Sequence, residues 1–264
     1  MLRSMYSGIS GMKNFQTKLD VIGNNIANVN TYGFKKGRTT FKDLVSQQIS
    51  GSSAPTATLG GTNAKQIGLG SQISTIDTVN TQGSLQTTGR TLDLGISGDG
   101  FFTLLDGNGQ RYYTRSGNFY LDKGGDVVNS DGLHILDTNG NKINIDPNSQ
   151  SFSIGADGSV TTVPASTAAV SIGLTKFPNS EGLEKAGQNL YRASNNSGTP
   201  TTTNPVKPGT GGTGSLVAGA LEMSNVDLSE EFTDMIVAQR GFQANTRIIT
   251  TSDQILEELV NLKR

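Results

Sequence analysis

The sequence predicts an α+β protein: long N- and C-terminal α-helices form a coiled-coil-like pair and flank a central antiparallel β-rich domain. Three observations carry this reading. Near the N-terminus, Met5, Met12, Phe15, Leu19, Ile22, Ile26 and Val29 recur at spacings of seven, three and four. Near the C-terminus, Leu221, Leu228, Met235, Phe242, Ile249 and Leu256 recur every seven residues. An average period of about 3.5 residues keeps one apolar stripe of a helix turned toward another helix. Between the two ends, short alternating runs are punctuated by Gly, Asn and Asp clusters, the pattern of strands joined by tight turns. The expected organisation is a discontinuous helical domain from residues 1–30 and 225–264, a linker over 31–70, and a β-rich domain over 71–224.

The first helix is expected over residues 1–30. Its propensity is poor: Gly8, Gly11 and Gly23 each cost about 1 kcal/mol relative to Ala, and Asn24, Asn25 and Asn28 are weak helix formers. Such a helix needs a partner surface, and its small residues let a partner approach closely. Gly33 is the expected left-handed stop. Beyond it, Tyr32, Phe34, Phe41 and Leu44 alternate with Lys35, Lys36, Arg38 and Lys42. A basic–aromatic mix is one signature of nucleic-acid binding. The net charge of −1 speaks against it, so the segment reads as an anchored stretch with snorkelling lysines. From Ser46 to Gly70, Gly, Ser, Thr and Ala dominate, as in an extended loop.

Residues 70–220 read as β. Runs at Phe101–Leu105, Gln110–Arg115, Phe119–Leu121, Val127–Val128 and His134–Leu136 are separated by turn clusters such as Asp106-Gly107-Asn108-Gly109. Ser151–Ile154 and Ser159–Val163 flank Ala156-Asp157-Gly158, a hairpin signal. Residues 194–214, rich in Asn, Thr, Pro and Gly, read as a surface loop. The last helix is expected from Val226 to Leu262. Asp227 and Glu230 open it like a capping box. Glu230, Glu231 and Asp234 suit its positive end, and Lys263 and Arg264 its negative end. Phe232 and Val260 extend its seam, while Gln239, Thr246 and Asp253 form a polar row that either sets register inside a helical assembly or, as the favoured expectation, faces water.

Composition narrows the function. Glycine supplies 34 of 264 residues, roughly twice its usual ~7% share, so the core is thin for the length. There are no cysteines, which removes disulfides, thiol nucleophiles and zinc–thiolate sites. Residues 1–45 carry seven Lys/Arg against two Asp, and residues 225–264 four Lys/Arg against seven Asp/Glu, so the arms attract each other. No apolar run is long enough to span a membrane, and Met1–Met12 is too interrupted by Ser and Gly for a secretory signal.

Catalytic and metal-binding patterns fail on inspection. His134 is the single histidine and reads as a structural residue with a hydrogen bond. Asp137, Asn139 and Asn141 begin like a calcium loop, but Lys142 replaces the required Gly and Asn148 the closing Glu. Asp106, Asn108 and Gln110 fail in the same way at Arg111. Gly209-x-Gly211-x-x-Gly214 follows a polar loop rather than a strand, so it is not a dinucleotide fingerprint. Asp99, Asp106, Asp122 and Asp131 could converge as paired carboxylates, but turn aspartates are explained by backbone hydrogen bonding. No cofactor is expected.

Letter by letter, the end segments resemble the flagellar rod and hook family of bacterial axial proteins. The resemblance lies in Leu19-Asp20-Val21-Ile22-Gly23-Asn24-Asn25-Ile26-Ala27-Asn28 and Thr31-Tyr32-Gly33-Phe34-Lys35. It continues in Ser224-Asn225-Val226-Asp227-Leu228, Met235-Ile236-Val237-Ala238-Gln239-Arg240 and Phe242-Gln243-Ala244-Asn245. Gly98-Asp99-Gly100-Phe101-Phe102 and Tyr113-Thr114-Arg115-Ser116-Gly117-Asn118-Phe119 resemble the family's β domain. The resemblance implies a structural subunit, not an enzyme. It implies a homopolymer that joins other axial proteins (distal rod, hook-filament junction) under a hook cap, exported uncleaved by the flagellar type III apparatus to the basal body and hook. Ile22–Ile26 and Thr31–Lys35 look closer to hook members, which form a flexible torque-transmitting tube. Met1-Leu2-Arg3-Ser4 and the length look closer to the distal rod, a rigid drive shaft, which is the alternative. The expected self-assembly residues are Met5, Met12, Phe15, Leu19, Ile22, Ile26, Val29, Leu221, Leu228, Phe232, Met235, Phe242, Ile249 and Leu256. A further alternative is a carbohydrate-binding or hydrolytic β module that the helices merely oligomerise.

Overall fold

The computed structural model describes residues 2–56, 59–147, 149–163, 170–200 and 204–262. Met1, Asn148, Lys263 and Arg264, each used in a sequence expectation, lie outside the described residues. The chain has two terminal helices and a central antiparallel β-rich region, divided into two compact units. One unit comprises Met1–Ala27, Gly37–Asp77 and Asp227–Arg264; the other comprises Asn28–Lys36 and Thr78–Val226.

The helical unit holds α1 (Leu2–Ala27) and α2 (Leu228–Asn261). Helix α1 stops three residues short of the expected end, where Asn28, Val29 and Asn30 form turns. Helix α2 starts at Leu228 because Asp227 caps it: its carboxylate accepts from the backbone N–H groups of Ser229 (2.8 Å) and Glu230 (3.4 Å). The helices run in opposite directions. Gly8 faces Ile249, Gly11 faces Asn245, and Phe15 faces Gly241. A Cβ on Gly11 would lie 2.9 Å from the Asn245 amide, and one on Gly241 2.5 Å from the Phe15 ring. Gly8, Gly11 and Gly241 therefore permit the close approach of the helices, whereas a Cβ on Gly23 would meet nothing within 4 Å.

The expected linker is largely folded. Gly37–Asp43 pairs with Ser71–Thr78, and Ser46–Ser50 pairs antiparallel with Lys65–Gly68. Thr40 and Thr75 join hydroxyls across the first pair at 2.6 Å, and Ser53 and Thr62 across the second arm at 2.8 Å. Small polar residues that read as loop instead hydrogen-bond across strands, a contribution that hydrophobic periodicity does not register.

The β unit is built on an eight-stranded antiparallel sheet. Along its path lie Glu184–Gly187, Leu190–Arg192, Arg111–Thr114, Phe101–Leu105, His134–Ile135, Val127–Val128 and Tyr120–Leu121. Leu174–Thr175 shares the edge of Phe101–Leu105 that His134–Ile135 also uses. The central strand is buried on both faces, which explains why its apolar run is interrupted only by Thr103, whose hydroxyl pairs with that of Thr175 at 2.6 Å. Phe102 and Leu104 enter the main core with Leu94, Phe119 and Ile135, while Phe101 joins Tyr113, Phe177 and Tyr191 in a second cluster. Smaller sheets pair Leu94–Ser97 with Ser215–Ala218, Leu85–Thr87 with Ala220–Glu222, and Ser151–Ile154 with Ser159–Val163 and Val170–Ser171.

Candidate assembly surface and buried charge cluster

Each expected seam residue has a definite place. Ile22 is buried in the helical unit, and Met5, Met12, Phe15, Leu19 and Ile26 are half-buried on α1. On α2, Met235, Phe242, Ile249 and Leu256 are half-buried, whereas Leu228 and Phe232 are exposed. Two residues are not on the helices at all. Val29 lies in the turn after α1, and Leu221 is buried in the strand Ala220–Glu222. The seven-residue step from Leu221 to Leu228 crosses the Asp227 cap, so the two cannot share a helical stripe.

Helix α1 covers only one side of α2. Leu228, Phe232 and Ile236 stand four residues apart and are exposed, Phe232 by 49% and Ile236 by 58%. In the second half Ile248, Ile255, Leu259 and Leu262 are exposed at spacings of seven, four and three. On α1, Tyr6 and Ile9 are also exposed. Contiguous apolar rows of this kind mark contact surfaces on folded proteins. Of the polar row, Gln239, Thr246 and Asp253 are all exposed; the Thr246 hydroxyl donates to the Phe242 carbonyl at 3.0 Å and to the Met12 sulfur at 3.3 Å.

A polar joint closes the helical unit. The Asn25 amide nitrogen donates to the Glu231 carboxylate (3.1 Å) and the Gly37 carbonyl (2.9 Å), and its oxygen accepts from the Gly37 N–H (2.9 Å). Asn25 and Glu231 are both buried. Lys18 and Asp234 pair at 3.2 Å near the surface.

The β unit holds a charge cluster that sequence reading missed. Lys35, expected to snorkel, is wholly buried: its ammonium lies 2.5 Å from Glu222 and donates to the Thr81 carbonyl at 2.8 Å. The other Glu222 oxygen accepts from Arg115 at 3.2 Å, and Arg115 also donates to the Gly98 carbonyl at 2.9 Å. Burial pushes the Lys35 ammonium below its ordinary value, opposed by the attraction of Glu222. The Glu222 backbone carbonyl accepts from Gly33, whose φ of 70° is the expected left-handed conformation. Asn225 ties the same region together, accepting from Lys36 N–H and donating to the Val79 carbonyl, both at 2.8 Å. Residues from around 35, 115 and 222 thus meet in one buried network.

The remaining expectations resolve locally. His134 carries no hydrogen bond on Nδ1, which stands 3.7 Å from the Asp126 carboxylate, so the expected structural bond is missing there. Asp106 and Asp122 accept from the backbone N–H groups of Gly107 and Lys123, each at 2.7 Å, as turn aspartates do. Asp137 accepts from Thr138 and Asn139. Gly214 leads into the strand Ser215–Ala218, not a helix. Among the described residues no cluster of His, Cys, Asp or Glu is arranged to hold a metal ion, and no helix is long and apolar enough to cross a membrane.

Three family models match the chain. They are the flagella basal body rod protein over residues 5–35, the flagellar hook protein FlgE/F/G D1 domain over 95–162, and the flagellar basal body rod FlgEFG protein C-terminal region over 217–262. The flagellar basal-body rod protein FlgG of Bacillus subtilis is 64% identical over 267 positions, covering 100% of both chains. The FlgG of Buchnera aphidicola subsp. Schizaphis graminum is 39% identical over 269 positions, covering 99% of this chain and 100% of that one. The flagellar hook protein FlgE of Borreliella burgdorferi is 31% identical over 445 positions, with 100% of each chain covered.

Proposed function

Because this chain belongs to the flagellar rod and hook family of axial proteins, we propose that it is a subunit of the rod, the drive shaft of the flagellum. The family consists of structural parts of the flagellum that form polymeric assemblies, not of enzymes. The observation that carries the rod reading over the hook reading is the match of whole chains. The Bacillus subtilis rod protein aligns over 267 positions, close to the 264 residues here, whereas the hook relative needs 445. The hook reading that Ile22–Ile26 and Thr31–Lys35 favoured therefore falls to second place.

In this reading, α1 and α2 form a coiled-coil-like inner layer, and the exposed rows on α2 are covered by other copies. Head-to-tail contacts that do not close on themselves give a helical filament. The arm containing Ser46–Ser50 and Lys65–Gly68 exposes Val45, Ile49 and Ile67, apolar side chains suited to a neighbouring copy. A two-stranded arm is marginal alone in water and gains stability by docking. Export proceeds through the flagellar type III apparatus without cleavage, and the partners are adjacent axial proteins.

Deletion of the gene in its own bacterium, followed by electron microscopy of purified basal bodies, tests the assignment. The rod reading expects truncated rods. Complete rods that lack hooks would return the hook reading to first place.

A further inference from the structure

We propose that the β unit binds a small hydroxycarboxylate ion, of the size of glycolate, in a cavity of about 150 Å³ lined by Asn80, Phe101, Arg115, Lys176, Phe177 and Ser180. A cavity of about that volume accommodates a guest as large as benzene. The Asp99 side chain also lines it and is 72% exposed, which places the mouth of the cavity on that side.

Two side chains on the wall have polar atoms that nothing in the chain satisfies. The Asn80 amide oxygen and nitrogen are both buried without a hydrogen bond, and so is the Arg115 Nε. Arg115 is 3% exposed, and its other two nitrogens already donate to the Glu222 carboxylate and the Gly98 carbonyl. Buried polar atoms are nearly always paired, and an exception calls for a group that completes it. Here one cavity borders both side chains, so one guest can complete all three atoms.

Charge is the second, independent observation, and it selects an anion. Lys35 and Arg115 share a single carboxylate, that of Glu222, so the buried cluster carries one cation in excess. Lys176 does not alter that balance: it faces Asp99 at 3.4 Å and donates to the Gly212 carbonyl at 3.0 Å. Water alone would supply hydrogen bonds but leave the excess charge. A carboxylate accepts from Arg115 Nε and from the Asn80 nitrogen and offsets the cation. The Asn80 oxygen needs a donor, which a hydroxyl on the same small molecule provides. The Phe101 ring centroid lies 5.4 Å from Arg115 Cζ, and Phe177 packs edge-on against Phe101 at 6.1 Å. These rings keep the site poor in water, where attraction between opposite charges is weakly screened.

The test is urea denaturation of the full-length chain in sodium glycolate against sodium chloride at equal ionic strength. Glycolate should raise the β-unit midpoint saturably, with the folded-to-unfolded ratio about tenfold higher at ten times the dissociation constant. Sodium acetate, which lacks the hydroxyl, should give a smaller rise. Asn80→Leu exchanges an unpaired buried amide for an apolar group of similar size, so its midpoint in chloride should be no lower than that of the wild type, and its response to glycolate should be lost. A crystal structure of the wild type grown with glycolate reads the site without any variant: a carboxylate within hydrogen-bond distance of Arg115 Nε supports the assignment. Water alone at that position, no saturable rise with glycolate, an equal rise with acetate, or an undiminished rise in Asn80→Leu overturns it.

Discussion

The Lys35 ammonium lies 2.5 Å from the Glu222 carboxylate, with both side chains excluded from solvent although the two residues stand 187 positions apart in the chain. Arg115 shares the same carboxylate, so two buried cations depend on one anion. Glu222→Gln keeps the shape but leaves both cations uncompensated. Breaking a buried pair in this way costs about 3–5 kcal/mol. Urea denaturation of the full-length chain should show that loss in the β-unit transition; a change below about 1 kcal/mol would mean that the cluster relaxes to admit water.

Alkaline pH should destabilise the β unit through Tyr191. Burial raises its phenol from 10.0 to about 12, so the folded chain holds that proton more tightly than the unfolded chain. Its contribution is whole below pH 10 and is lost as pH rises toward 12. Lys35 acts in the opposite sense: its lowered value makes the folded chain release a proton first, so its contribution rises with pH up to 10.5. The net expectation is a stability that falls above about pH 10.5, with a shallower fall in Tyr191→Phe. Denaturation midpoints across that range, with phenolate absorbance followed in parallel, decide it.

Much of the β unit is readable because its turns announce themselves. Phe101–Leu105, Val127–Val128, Ser151–Ile154 and Ser159–Val163 are strands over the residues expected, each with a glycine-containing turn on at least one side. The strands at Glu184–Gly187 and Leu190–Arg192 went unread, since Gln188-Asn189 carries the left-handed turn without the glycine that signals one. The helices were legible from their period, but Leu221 shows the limit of counting sevens: a capping residue interrupts the helix without disturbing the count. Glu222 was invisible for a different reason. A lone glutamate after Ala220-Leu221 gives no local hint of a buried role, and its partners arrive from segments 187 and 107 residues distant. Lys35 misled for the same cause, because snorkelling and burial are distinguished only by a partner that lies elsewhere in the chain.

Two polar contacts in the helical unit should differ sharply in worth. Asn25 satisfies the Gly37 backbone and the buried Glu231 carboxylate at once. Asn25→Ala strands all three groups and should cost about 2–3 kcal/mol. Lys18 and Asp234 meet at 3.2 Å with Asp234 half exposed, so Asp234→Asn should cost about 1 kcal/mol or less. Thermal melts of the two variants, read by helical circular dichroism, give the comparison. Equal losses would mean that the Asn25 joint is solvated when the chain is free.

The apolar rows of α2 separate assembly from folding. Phe232 and Ile255 are 49% and 47% exposed, so a charge placed on either meets solvent in the single chain and costs little there. If other copies cover these rows, Phe232→Asp and Ile255→Asp each bury an unpaired carboxylate in every contact of the polymer, a penalty of several kcal/mol repeated along the filament. Ile22→Asp is the contrasting change: Ile22 is 3% exposed in the chain itself, so its replacement should unfold the helix pair before assembly begins. The expected result is that the two α2 variants melt like the wild type yet form no filaments under electron microscopy, while Ile22→Asp loses helical signal. Normal filaments from Phe232→Asp and Ile255→Asp together would place the contact surface elsewhere, with the exposed arm around Ile49 and Ile67 the next candidate.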